Sequence, residues 1–293
     1  MAVKVDSVAG TQCLLGEGAL WDHARQCVWF VDIKSHRLWH FDPATGGTQS
    51  WQAPGQIGWV VPSTGTGLLA GLQDGLYSFD PESGAFTHLT QVPGEPATNR
   101  LNDACSHPSG AVYFGSMDDG EDAPSGRFYR WIDGAITPAG PDAVSITNGP
   151  AVSPDGAAIY FTDTLGKKIF VADVGADGLP GAARLFVDTA AHFPEAYPDG
   201  PIVDSKGCVW TGLWNGWAVA RFSPAGELLE TVAMPVANVT KMTLGGADLR
   251  TAYVTTARKG LSDEELAAQP LAGNLFAFRV DVAGAPVTPV TLG

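Results

Sequence analysis

Four side chains with oxygens able to hold a cation or move a proton, Glu17, Asn102, Asn148 and Asp199, recur at matched places. Each is followed, after twelve, eleven, twelve and eleven positions respectively, by a strand-type aromatic: Trp29, Tyr113, Tyr160 and Trp210. If the segments superpose, the four polar groups share one level of the fold and face one another. Two carboxylates brought together with two amides are costly to desolvate unless a cation or shared protons compensate. An oxygen-only set suits a hard ion such as Ca²⁺, Mg²⁺ or Mn²⁺, with Fe²⁺ or Zn²⁺ accessible because affinity need not follow preference. The same residues could instead cap strand ends and bond loop backbone, and spacing leaves both readings open.

Other chemistries find less support. There is no Gly-x-Ser-x-Gly elbow for a serine hydrolase, and Gly115-Ser116-Met117 lacks the glycines and lysine of a phosphate loop. His36 and His40 are placed in one strand, where four positions separate them by roughly 13 Å, too far to share an ion. His23, His88, His107 and His192 read as surface or turn residues. Cys13, Cys27, Cys105 and Cys208 form no Cys-x-x-Cys pair and read as small buried hydrophobes.

The elements that must position the polar set come from a repeat. Six times the chain passes from a loop or polar residue through a short apolar strand, a turn, an aromatic or apolar core strand, and a further strand with its turn. The passes start at 17, 57, 102, 148, 199 and 240. Alternating apolar residues bounded by turn clusters make each pass three or four antiparallel strands. Such a sheet cannot bury both faces alone, and radial stacking supplies the partners. The expected fold is therefore all-β, a six-bladed propeller forming one domain over residues 1–293, with the polar ring at the mouth of its central channel. The alternating stretch Val3–Val8 is expected to pair as the outer strand of the last blade and close the ring. Ser262 and Glu265 have capping-box spacing before a short helical insertion in blade six.

Composition agrees with this architecture. Gly (36) and Pro (21) supply many turns, and 45% hydrophobic residues supply core. The net charge of −14, from 31 acidic against 17 basic side chains, repels phosphate backbones and anionic headgroups. That argues for a small neutral or cationic ligand and against nucleic acid or membrane partners. The N-terminal Met1-Ala2-Val3-Lys4-Val5-Asp6-Ser7 lacks the basic start and apolar run of a signal peptide, which points to the cytoplasm.

Several stretches resemble the gluconolactonase and regucalcin (senescence marker protein) group of six-bladed propellers. They are Leu15-Gly16-Glu17-Gly18 with Trp21, Asn99-Arg100-Leu101-Asn102-Asp103, Ile146-Thr147-Asn148-Gly149, Tyr197-Pro198-Asp199-Gly200, and Val239-Thr240 followed by Gly245-Gly246. Five motifs in the correct order and blades are specific together, and Thr256–Ser262 looks most like the bacterial sugar-lactonase branch. The resemblance implies that Glu17, Asn148 and Asp199 ligate one divalent metal and that Arg100 and Asn102 hold substrate. It also carries an acidic substrate contact onto Asp119 or Glu121. The implied activity is hydrolysis of a pentono- or hexonolactone in sugar oxidation, with the metal polarising the carbonyl and Asp199 serving as ligand and base. Two rivals stand beside it: a metal-dependent esterase or phosphotriesterase, and a non-catalytic calcium- or protein-binding propeller. A monomer or weak homo-oligomer is expected.

Overall fold

The structure, a computed structural model, describes residues 3–292; Met1, Ala2 and Gly293, part of the expected single unit, lie outside the described residues. Its strands form six antiparallel sheets of four; in five the chain meanders outward from an innermost first strand, and in the sixth the N-terminal strand supplies the outer edge. In chain order the innermost strands are Gly16–Asp22, Ile57–Pro62, Asn99–Ser106, Thr147–Val152, Tyr197–Val203 and Val239–Gly245. Ring closure follows the expectation over a shorter stretch: Asp6–Ala9 pairs antiparallel with Leu275–Arg279, setting Asp6 against Ala277 and Ser7 against Phe276, while residues 3–5 precede the strand.

The core lies between blades. The aromatics that mark the repeat, Trp29, Tyr113, Tyr160 and Trp210, are all buried on second strands. Rings meet across blade boundaries, as in Trp59 with Phe114 at 5.7 Å and Phe128 with Phe161 at 4.7 Å between centroids, and Trp21 stacks on Tyr253 at 5.8 Å where the ring closes. Neighbouring blades approach so closely that a Cβ on Gly58, in an inner strand, would stand 2.5 Å from the Leu101 carbonyl oxygen, and one on Gly212, in the second strand of blade five, would stand 2.0 Å from that of Thr240. Only glycine permits that approach.

The helix Asp263–Ala268 carries the expected capping box, with Glu265 N donating to Ser262 Oγ and Ser262 N to Glu265 Oε2. Not anticipated is the C-terminal segment, which returns under the ring. Ser205 N donates to the Ala283 carbonyl, and Val290 pairs with blade two through Val290 N to Pro62 O at 2.9 Å and Thr64 N to Val290 O at 2.8 Å. Val290 is fully buried there.

One placement is corrected. His36 is not in a strand: it sits in the turn before Arg37–Asp42 with φ of 52°. His40 does lie in that strand, its ring edge-on to Trp29. His107 is a turn residue, but a buried one, its ring nitrogens meeting Ser109 Oγ at 2.8 Å and the Gly156 carbonyl of the next blade at 2.9 Å. The four cysteines are free, with Cys105 only half-buried by area; burial pushes the thiols of Cys13, Cys27 and Cys105 up to about 12, which leaves them unreactive.

Candidate active site

Each polar residue at the channel mouth owes its direction to a local irregularity. In five innermost strands the pairing with the second strand slips immediately after or around the polar position, between Glu17 and Leu20, Leu101 and Ala104, Asn148 and Ala151, Pro198 and Pro201, and Val239 and Met242. A bulge breaks the in–out alternation and re-aims a side chain. Gly18 and Gly149, at φ of 61° and 76°, supply the left-handed residue that two of these slips require. The freed backbone N–H then turns onto the carboxylate: Gly18 N donates to Glu17 Oε2 at 3.0 Å and Gly200 N to Asp199 Oδ1 at 2.9 Å. The strand bearing Glu17 is tied at its start by buried Asp32, whose carboxylate accepts from Leu14 N and Leu15 N.

One cavity of about 140 Å³ is lined by Glu17, Arg100, Asn102, Glu121, Asn148 and Asp199, with Thr164 and Lys259 as further polar walls and Tyr197, Trp214, Met117 and Leu165 as apolar ones. Four of the first six, Glu17, Asn102, Asn148 and Asp199, are the residues that shared a register in the sequence. Asp119 is not a lining residue. It stands behind Arg100, accepting from Arg100 Nε at 2.9 Å, Lys34 Nζ at 2.6 Å and Gln56 Nε2 at 2.9 Å. Burial opposes ionisation of Asp119, but hydrogen bonds from Lys34 and Gln56 and the charges of Lys34 and Arg100 hold its carboxyl below the usual range.

Arg100 has two sets of partners. It is buried in an ion pair with Asp119, and it reaches the cavity, where Nη1 donates to Asn102 Oδ1 at 2.5 Å. Among the described residues Nη2 donates to no protein group. Asn102 in turn donates to the Thr147 carbonyl of blade four at 2.6 Å and to Asn148 Oδ1 at 3.3 Å, which fixes the neighbouring blades relative to each other.

The electrostatics favour a cation. Burial, then the nearby charges of Asp199 and Asp103, raises Glu17 well above the carboxylate range. Burial also pushes Asp199 up to about 7. Two buried carboxylates that resist ionising together are stabilised by a positive partner or by a shared proton. The buried ammonium in reach, Lys241, is engaged with Asp103. Asn148 Nδ2 donates to Thr164 Oγ1 at 2.9 Å, which turns its carbonyl oxygen to the other side. Two carboxylates and an amide oxygen from three blades fit a hard divalent ion. Among the described residues no three His, Cys, Asp or Glu side chains gather in a metal-holding group, so the amide is needed to complete a set of three.

Three contributors were not among the expected site residues. Lys241 and Asp103 form a buried ion pair across the channel, and beyond them lies a second cavity of about 130 Å³ that Asp103 and Lys241 line from one side and Gly284–Val287 from the other. Lys259 pairs with Glu121 over the first cavity. Only Asp103 had a local signal, its place directly after Asn102.

Comparison with known proteins places the chain. It is 36% identical over 281 residues to the L-arabinolactonase of Azospirillum brasilense, covering 94% of this chain and 92% of that protein. It is 34% identical over 274 residues to the 6-deoxy-6-sulfogluconolactonase of Pseudomonas putida, at 92% and 93% coverage. Among solved structures, a calcium-binding protein, regucalcin, from Agrobacterium tumefaciens superposes with a TM-score of 0.94 at 27% identity, covering 100% of this chain and 99% of that one. Residues 15–258 match the SMP-30/Gluconolactonase/LRE-like region, and the chain belongs to that family.

Proposed function

We propose that this protein is a metal-dependent sugar lactonase that hydrolyses an aldonolactone to the aldonic acid. The observation that carries this reading is the single cavity joining a buried Glu17, Asn148 and Asp199 oxygen set to Arg100 and Asn102. The lactonase names of relatives at 34–36% identity support it.

Glu17, Asn148 and Asp199 are the residues to hold the metal. A bound divalent cation supplies electrophilic polarisation of the lactone carbonyl and of the oxyanion that follows. Asp199, whose carboxylate lines the cavity beside the substrate-orienting residues, is the group to take the proton from the attacking water. Arg100 and Asn102 orient ring hydroxyls, contacts that discriminate strongly among sugars because a missing partner leaves buried donors unpaired. Asp119 acts through Arg100 by fixing its guanidinium. Glu121, on the cavity wall, accepts from a substrate hydroxyl.

Ca²⁺, Mg²⁺ and Mn²⁺ best suit the all-oxygen donor set, and the calcium-binding structural relative supports the first. A lactone of this class arises by oxidation at the anomeric carbon of an aldose, so we place the reaction in sugar oxidation. Four free cysteines suit a reducing cytoplasm, and no helix among the described residues is long and apolar enough to cross a membrane. The decisive assay offers gluconolactone, xylonolactone, arabinonolactone and galactonolactone to protein loaded with each metal. Saturable turnover that chelation abolishes is expected. Metal binding with no turnover of any lactone would leave a calcium-binding propeller, and preference for aryl esters or phosphotriesters would leave the esterase.

A further inference from the structure

Blades three and six face each other across the ring, and two ion pairs run between them. The inner one, Asp103 with Lys241, is buried, the side chains 1% and 7% exposed. The outer one, Glu121 Oε1 with Lys259 Nζ, is 33% and 31% exposed, and both of its members line the cavity.

The outer pair stands on fixed backbone. Glu121 lies in a tight turn at φ of 63°, its N–H donating to the Asp118 carbonyl at 3.1 Å, while Asp118 Oδ2 accepts from Asp122 N and Ala123 N. Lys259 N donates to the Leu14 carbonyl at 2.8 Å, and the Lys259 carbonyl accepts from Asn238 Nδ2 at 3.0 Å. The charged ends sit on long side chains at the rim, where an ion pair is weakly held and screened. The other cations near the site are committed more deeply: Arg100 and Lys34 to Asp119, Lys241 to Asp103.

If the lactone carbonyl lies against Glu17, Asn148 and Asp199 at the start of the inner strands, its exocyclic carbons point outward to this rim. We propose that Lys259 is a specificity-determining residue that donates to the exocyclic oxygens of the lactone and, being neutralised by Glu121, sets the site for an uncharged hydroxylated tail. An anionic tail must displace Glu121 from Lys259 and then lie beside a freed carboxylate. The assignment rests on the lactonase reading above.

The two partners push charge selectivity in opposite directions, which a purely structural bridge does not do. Galactonolactone serves as the neutral probe and glucaro-1,4-lactone, with a carboxylate at the far end, as the anionic one. In Glu121→Gln the ratio of kcat/KM for anionic over neutral lactone should rise about ten-fold or more, and in Lys259→Gln it should fall by a similar factor, both effects shrinking at high salt. Lys259→Arg should keep the parent ratio. Independently of turnover, calorimetric titration with glucarate and gluconate should show affinity ratios shifting the same way in the same variants. Absence of turnover with every lactone, alongside shifted affinity ratios, would sink the lactonase reading and with it the lactone contact, while keeping the Lys259 and Glu121 pair as the selector of ligand charge. Ratios within two-fold of the parent in both glutamine variants, in both measurements, overturn it.

Discussion

Lys241 gives the sharpest test of how this channel is held. Its ammonium, on a 7% exposed side chain, pairs with Asp103, which is 1% exposed and also accepts from Ala104 N at 2.7 Å and Gly149 N at 2.8 Å. Burial pushes the Asp103 carboxyl up, while Lys241 and the two backbone N–H groups pull it back. Lys241→Met keeps the aliphatic stem that lies over Gly200 and deletes the charge, stranding a carboxylate beside Glu17 and Asp199. Breaking a buried pair from one side costs about 3–5 kcal/mol. For a chain of 293 residues, with unfolding entropy of roughly 2.1 cal/mol/K per residue, that is a fall in Tm of about 5–8 °C. The double variant Asp103→Asn/Lys241→Met removes both charges and should recover more than half of the loss. Metal affinity should rise in the single variant, because it removes a positive charge that repels a cation held at Glu17 and Asp199. Guanidinium and thermal melts of the metal-free proteins, with calorimetric metal titration, measure both. A single-variant loss under about 1 kcal/mol, or a double variant no better than the single, refutes the ion-pair account. The same melts should show one transition, as one closed ring requires, and a stable half-chain from limited proteolysis near residues 140–150 would argue against that.

Glu17→Gln and Asp199→Asn should each lower divalent-metal affinity and lactone turnover together, read by metal analysis after dialysis and by the lactone assay; unchanged metal content in both removes the proposed site. Arg100→Lys keeps a charge for Asp119 but loses the planar fork that spans Asp119 and Asn102, so kcat/KM should drop ten-fold or more, about 1.4 kcal/mol of transition-state binding. Retained metal content is expected in that variant, and unchanged kcat/KM with a lowered Tm would make Arg100 purely structural.

Much of this was legible along the chain, and for local reasons. Strand alternation, turn residues and the offset from polar residue to aromatic depend on neighbours a few positions apart. They located all six inner strands, the closing N-terminal strand and the capping box at Ser262 and Glu265. The glycines after Glu17, Asn148 and Asp199 were a visible signal of a different kind. In a strand pattern a glycine marks a bulge, and here the slips beside them aim the oxygens into the channel. His36 was misplaced because no residue type announces its left-handed turn, a conformation glycine or asparagine would have advertised.

Local pattern along the chain is enough to set the blades and the level at which Glu17, Asn102, Asn148 and Asp199 sit, since a period-two ladder carries its own register. Only the closed ring decided which charges meet across it. Asp103 with Lys241, and Glu121 with Lys259, are each 138 residues apart, and no local pattern couples positions at that distance. The curvature that brings blade six opposite blade three makes them partners, and the same closure lets Val290 find its pocket beneath blade two. Asp119 shows the difference within one residue: its charge and position suggested substrate, but packing set Arg100, Lys34 and Gln56 around it first, and a carboxylate so surrounded serves the guanidinium that lies in front of it.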